Sequence, residues 1–373
     1  MIIYPGRKNT ISLLIFGAAF LAGCSAEEND EQPEENAGET EEAAGSVTEA
    51  QTEDWDVEVM AENLDVPWSL NIHEDTYYMT NRGGDVIEVN GGERERLSLN
   101  TSDEVANEGE GGLLGFVLAE DFADSREGYA YYTYRQDNGT LANRVAAVER
   151  ENSQWNETEI LLDDIPGSRI HNGGRLEIGP DGYLYATAGD SDEPSLAQDQ
   201  DSLAGSILRM TVEGEVPEDN PFEDSYVYSY GHRNPQGLAW NSDGQLYSSE
   251  HGPNAQDEIN VIESGNNYGW PEITGSESAE GLETPVIQSE STTWAPSGTA
   301  FFEDTLLAAG LRGESLYAYD EEAEEMNAVF EGEGRLRDVK TEDGDVYVLT
   351  NNTDGRGTPA ENDDRLLRLT PGE

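Results

Sequence analysis

The 373-residue chain has one cysteine, Cys24, so no disulfide can form within a molecule and the fold rests on packing and hydrogen bonds. It also lacks an apolar run long enough to span a bilayer comfortably. The run Ile11 to Phe20 has the length of a signal-peptide hydrophobic region, with Arg7 and Lys8 before it and Leu21-Ala22-Gly23-Cys24 at its end. Basic residues, a short apolar run and small residues before a cysteine form the lipobox pattern of a bacterial lipoprotein. The pattern predicts a signal peptide over 1–23, lipidation at Cys24 and an extracytoplasmic protein held to the membrane by its lipid alone. A buried core helix could supply the same apolar run, but the basic residues before it and the acidic stretch after it favour the signal peptide.

Positive charge is equally scarce. Lysine and arginine number 20 against 79 acids, a formal charge of −59. Such a field disfavours nucleic acid and other anionic partners. Its self-repulsion is tolerable mainly where salt screens it, which predicts a halophilic source, with an ordinary acidic, soluble surface as the alternative. Residues 24–54 contain no lysine or arginine and almost nothing to bury, so they read as a disordered acidic tether, extended by its own repulsion. The tether holds a minority of the acids, which leaves the folded region 55–373 acidic in its own right.

Convincing helical periodicity is missing too. Instead a turn carrying Asp or Gly leads repeatedly into a short aromatic and β-branched run. The runs are Thr76 to Thr80, Tyr129 to Tyr132, Tyr183 to Tyr185, Leu246-Tyr247, Leu306-Leu307 and Val346 to Val348. Intervals of about forty to sixty residues suit four short strands per unit. The expectation is an all-β, six-bladed β-propeller with four-stranded antiparallel blades. A β-sandwich could also be made of short strands, but six similar units favour radial repetition.

Loops of successive blades converge at one end of a propeller channel, so distant residues can share a site. Gly231 to Pro271 concentrates candidates among turns: His232, Arg233, Asn234, Glu250, His251, Asp257 and Glu258. His171, one of four histidines, stands among glycines just before a strand that ends near Asp190. It reads as a general base oriented by Asp190 or, equally, as a structural histidine. Arg233 and Asn234 suit a developing oxyanion or a carboxylate, with a salt bridge between blades as the plain alternative. Arg335 and Arg337, two apart, would share a strand face and form an anion site, or each could hold a surface carboxylate. The loop Glu250 to Glu258 offers hard oxygen ligands and main-chain carbonyls that suit calcium, although its two final acids could simply be solvated. Glu110 sits in a glycine-rich loop and is by itself a weak signal.

Taken together, these motifs resemble the pyrroloquinoline-quinone (PQQ)-dependent aldose dehydrogenases of the glucose/sorbosone dehydrogenase family, which are six-bladed propellers. The likeness runs through Asn63-Leu64, Pro67-Trp68, Gly111 to Gly115, His171 to Arg175, Gly231 to Gly237, Glu250 to Asn260, Asn267 to Pro271, Ala295 to Gly298 and Arg335 to Val339. The resemblance implies that His171 takes the proton from the anomeric hydroxyl while Asp190 orients it. It implies that Arg233 and Asn234 contact the quinone, with His251 beside them, and that Arg335, Arg337 and Arg312 hold its carboxylates. Glu110 falls on the substrate side. The carbonyls of Gly252 and Pro253 match ligands of an active-site calcium, and Asp257, Glu258 and Tyr268 match a second, structural calcium. The expected partners are an aldose sugar and an external electron acceptor. Ile170, Glu110 and His251 depart from the better-studied glucose oxidisers. A calcium-dependent propeller lactonase and a non-catalytic sugar-binding propeller are the other readings, the first disfavoured by the arginine motifs.

Overall fold

The computed structural model describes residues 55–372; the lipobox with Cys24 and the acidic tether lie outside them. Each of the six recurrent runs lies on the second strand of a four-stranded antiparallel meander: Thr76–Asn81, Glu127–Arg135, Leu184–Ala188, Leu246–Glu250, Thr305–Gly310 and Asp345–Thr350. The turns before them explain the spacing. Gly182, Gly244 and Gly344 have φ of 78°, 80° and 85°, angles that glycine adopts without strain, and they reverse the chain into the strand.

The first strands of the meanders are Pro67–His73, Leu113–Leu118, Leu176–Ile178, Pro235–Trp240, Pro296–Phe302 and Leu336–Glu342. Each touches the next in chain order and the sixth touches the first, which closes a ring. The strand Trp55–Ala61 pairs with Leu366–Pro371 and so completes the sheet of the last meander, tying the two ends of the described chain together. The apolar core lies between neighbouring meanders: Leu114, Tyr131 and Val145 pack with Leu176, Leu184 and Leu208. Each such side chain contributes about 1.5–3 kcal/mol by leaving water.

One expectation is corrected. The strands form five sheets, four of four strands and one of eight, in place of six separate sheets. The outer strand Glu93–Asn100 pairs in parallel with Gln154–Pro166 of the next meander, at Leu99 with Trp155 and Asn100 with Asn156. The cause is local. Trp155 is fully buried, packs edge-on to Tyr78 of the first meander at 6.4 Å and donates its indole N–H to Glu88 Oε1 there at 3.1 Å, so its strand end is drawn against its neighbour.

Every first strand starts at the same end of the ring, and antiparallel pairing returns the second strand to that end. Glu110, His171, Arg233, Ala295 and Arg335 precede first strands, while Arg82, Asp190, His251 and Arg312 follow second strands. Topology alone therefore gathers the candidate residues at one mouth. Beneath them, Asp338 Oδ2 accepts from Arg175 Nη1 at 2.9 Å and from the Leu70 amide at 2.7 Å, and Arg175 Nε donates to the Gln236 carbonyl at 2.9 Å. Four meanders thus meet at one buried ion pair. Removing one partner of such a pair costs about 3–5 kcal/mol.

Candidate active site

His171 sits at φ 55°, a left-handed conformation, in the turn ahead of Leu176–Ile178. Its Nδ1 lies 2.7 Å from Oδ1 of the fully buried Asp190, and its Nε2 lies 2.9 Å from Arg233 Nη2. These two neighbours fix the tautomer. A carboxylate can only accept from Nδ1–H, and a guanidinium can only donate, so Nε2 presents a lone pair. An Nε2 lone pair is what a base would need, and here it accepts from Arg233. His232 takes the structural part: it is buried between Glu250 Oε2 and Ser229 Oγ, each 2.9 Å away, and stacks on Tyr268 at 4.7 Å.

Among the described residues Arg233 forms no salt bridge between blades. Its Nη1 donates to the carbonyls of His251 and Gly252 at 3.0 and 2.8 Å, its amide donates to Glu250, and its guanidinium lies over Trp270. Burial holds its pKa below the ordinary arginine value, against the pull of nearby Asp190 and Glu250. Asn234 is buried and accepts the Gly173 amide at 3.0 Å, locking the two loops together. Glu110 receives the His171 amide at 3.1 Å and the Arg356 guanidinium at 2.8 Å.

The arginine pair divides. Arg335 lies just ahead of Leu336–Glu342 and is matched by the buried carboxylate of Asp354 at 3.0 Å and by the Leu311 carbonyl at 3.1 Å. Among the described residues Arg337 hydrogen-bonds to neutral groups alone: Gln236 Oε1 at 2.9 Å, Asn351 Oδ1 at 3.2 Å and Ser297 Oγ at 3.3 Å. Burial and the neighbouring Arg335 lower its pKa to about 9, which leaves it charged at neutral pH. A buried guanidinium without a carboxylate partner has the charge and donors that an anion would satisfy. Arg312 is exposed at the cleft and forms no ion pair among the described residues.

Arg82 and Arg356 were not anticipated from the sequence. Both line the cavity at the channel mouth together with Trp68, Glu110, His251 and Arg337. Among the described residues six buried side-chain polar atoms lack a partner, and three of them, Arg82 Nε, His251 Nε2 and Arg337 Nε, belong to that cavity's walls. Burial pushes the His251 pKa down to about 4, so its ring is neutral at physiological pH. Two unpaired guanidinium N–H groups in the walls of one cavity fit a polar, anionic ligand. The adjoining cleft is lined by Glu110, His171, Arg233, Asn234, Gly252 and Arg312.

The expected metal ligands separate by geometry. Gly252 and Pro253 face the cleft, with the Gly252 carbonyl held by Arg233. Asp257 joins two loops: Oδ1 accepts the Gly252 amide, and Oδ2 accepts Thr293 Oγ1 and the amides of Trp294 and Ala295 ahead of the next first strand, all within 3.0 Å. The Tyr268 hydroxyl is likewise engaged, donating to the Val261 carbonyl at 2.6 Å and accepting the Glu263 amide at 2.9 Å. Glu258 differs. Burial and Glu250 raise its pKa to about 8, so this is an acid whose surroundings would accommodate a cation. Among the described residues no three His, Cys, Asp or Glu side chains converge on a point. Main-chain carbonyls would have to supply much of any metal shell.

Comparison with known proteins gives this geometry a relation. Residues 64–368 match the family model described as Glucose / Sorbosone dehydrogenase. An aldose sugar dehydrogenase of Escherichia coli (strain K12) is 33% identical over 352 residues, spanning 84% of this chain and 92% of that protein. The quinoprotein glucose dehydrogenase B of Acinetobacter calcoaceticus is 33% identical over 259 residues, 61% of this chain and 54% of that one. The structure of the PQQ-bound aldose sugar dehydrogenase of Streptomyces coelicolor superposes with a TM-score of 0.79 at 39% identity, covering 85% of this chain and 98% of that one. The fold is thus of the propeller type of these dehydrogenases, and the chain belongs to the glucose/sorbosone dehydrogenase family.

Proposed function

We propose that the chain oxidises aldose sugars to lactones with PQQ and calcium and passes the electrons to an external acceptor. The observation that carries the proposal is the His171 Nε2 lone pair, held between Asp190 and Arg233 at the edge of a cavity with unspent guanidinium donors. When bound, PQQ would accept the C1 hydride, with calcium polarising the receiving carbonyl. Arg337 and Arg312 would hold the quinone's carboxylates, with Arg335 contributing beside Asp354. The carbonyls of Gly252 and Pro253, near Glu258, would hold the metal.

The chain's own residues supply the acid–base work. His171 Nε2 takes the proton of the anomeric hydroxyl, and Asp190 stabilises the imidazolium that forms. To do so Nε2 exchanges the Arg233 N–H for the substrate O–H, which frees Arg233 Nη2 to face the negative charge that develops beside it. Glu110, ion-paired with Arg356, borders the sugar. The proposal extends to architecture and place: the closed ring of first strands supports six blades, two of them fused at their outer edges, and the lipobox supports anchoring through Cys24 outside the cytoplasm.

The test loads the chain with PQQ and calcium and follows reduction of an artificial acceptor with a panel of aldoses in high salt. Activity that needs both additions and falls at least a hundredfold in His171→Ala is expected, the share that a positioned base contributes. A chain that binds no quinone, or that keeps its rate without His171, overturns the reading.

A further inference from the structure

We propose that Trp270 is the positioning residue of this site, holding the two groups that make His171 a base; the inference rests on the dehydrogenase reading above. Asp190 is fully buried. Its Oδ1 accepts His171 Nδ1 at 2.7 Å and the Asp192 amide at 2.9 Å. Its Oδ2 has one described donor, the indole Nε1–H of Trp270, at 2.8 Å. A buried carboxylate oxygen left without a donor is costly, so the indole fixes the rotation of the carboxylate and with it the oxygen offered to His171.

The other neighbour of His171 depends on the same side chain. The Arg233 guanidinium carbon stands 5.4 Å from the centre of the Trp270 ring, within the range of a cation–π contact, and its Nη2 reaches His171 Nε2. Trp270 thus acts on His171 from both sides through Asp190 and Arg233. Its backbone is pinned for the purpose. The Trp270 amide donates to the Gly231 carbonyl at 2.9 Å, and its carbonyl accepts Gln198 Nε2 at 2.7 Å, which fastens it to the segment that carries Arg233. Tryptophan alone joins a large ring face to an N–H donor; phenylalanine keeps the face and loses the donor.

The test separates this role from the reading it rests on. Histidine-selective nitrogen-15 NMR of the full chain without cofactor should show His171 as the Nδ1–H tautomer with a downfield Nδ1 proton. In Trp270→Phe that proton should move upfield or vanish and the tautomers mix, while His232 keeps its signals. In the loaded enzyme kcat should fall about tenfold, as expected for one lost hydrogen bond to a charged group, with KM within twofold. Trp270→Leu, which removes the ring face as well, should fall further. His171 signals and kcat unchanged in Trp270→Phe overturn the proposal. So does a freely exchanging Trp270 indole proton in the unmutated chain, a measurement that needs no variant to fold. If the loaded wild-type chain oxidises no aldose, the dehydrogenase reading fails, and the tautomer experiment still decides what Trp270 does.

Discussion

Glu110 keeps its charge against its surroundings. Burial would raise its pKa, but Arg356 at 2.8 Å and the His171 amide outweigh burial and hold it below the ordinary glutamate value. A depressed carboxylate contributes stability above its unfolded pKa of about 4.3, and the contribution is lost as pH falls through the lower folded value. Glu110→Gln should therefore cost up to about 1 kcal/mol at pH 7, little because Arg356 is half exposed, and progressively less as pH falls below the unfolded value of about 4.3. Urea melts of both proteins over a falling pH series check this; a difference that stays constant across the series contradicts it. At this scale the sequence reading depended on rarity. His171, Arg233 and Arg337 stood out because histidine and arginine are scarce in this chain, and Asp190 followed from His171 as the carboxylate at the end of the next strand. Trp270, Arg82 and Arg356 did not, because what they do depends on what they face. Asp257 and Tyr268 carry oxygen atoms suited to a metal, and the hydrogen bonds those atoms make in the fold could not be read from the sequence.

The segments that hold these residues meet with no room to spare. Gly189 ends the strand Leu184–Ala188, and a Cβ there would lie 2.1 Å from the His171 carbonyl oxygen and 3.1 Å from Asn234 Oδ1. Backbone cannot yield at 2.1 Å without moving the His171 turn away from Asp190. Gly189→Ala should cost about 1–3 kcal/mol of stability and about a hundredfold in kcat, the penalty of roughly 1 Å of misplacement. Denaturation midpoints and kcat measured on the same preparation decide it, and a wild-type kcat would remove the close approach from the account. Elements were unevenly legible. Second strands announced themselves because a turn glycine precedes alternating aromatic residues, as in Asp181-Gly182-Tyr183-Leu184-Tyr185. First strands such as Leu113–Leu118 are buried on both faces, so they have no alternation to read. The fusion of two meanders at Trp155 depends on one buried indole, which no period encodes.

At the scale of the whole molecule, the architecture and the charge pull in opposite directions. A closed ring draws its acids together, and a formal charge of −59 resists that compaction. The arginines are too few to balance it, and several are withdrawn from the surface: Arg175, Arg335 and Arg337 are buried, and Arg82 and Arg233 are turned toward the mouth of the ring. Salt must do the screening. The Debye length shrinks from about 10 Å at 0.1 M to about 3 Å at 1 M, so the melting temperature should rise by about 5 °C or more over that range. The same field governs arrival at the cleft. An anionic quinone approaching from bulk meets net negative potential before it comes within a Debye length of Arg312 or Arg356, so its association rate should increase with salt as well. Thermal melts and stopped-flow association at 0.1 and 1 M sodium chloride test the pair of effects. A melting temperature that stays flat would mean the surface charge is neutralised locally. An association rate that falls would mean the arginines at the mouth already outreach the acids around them.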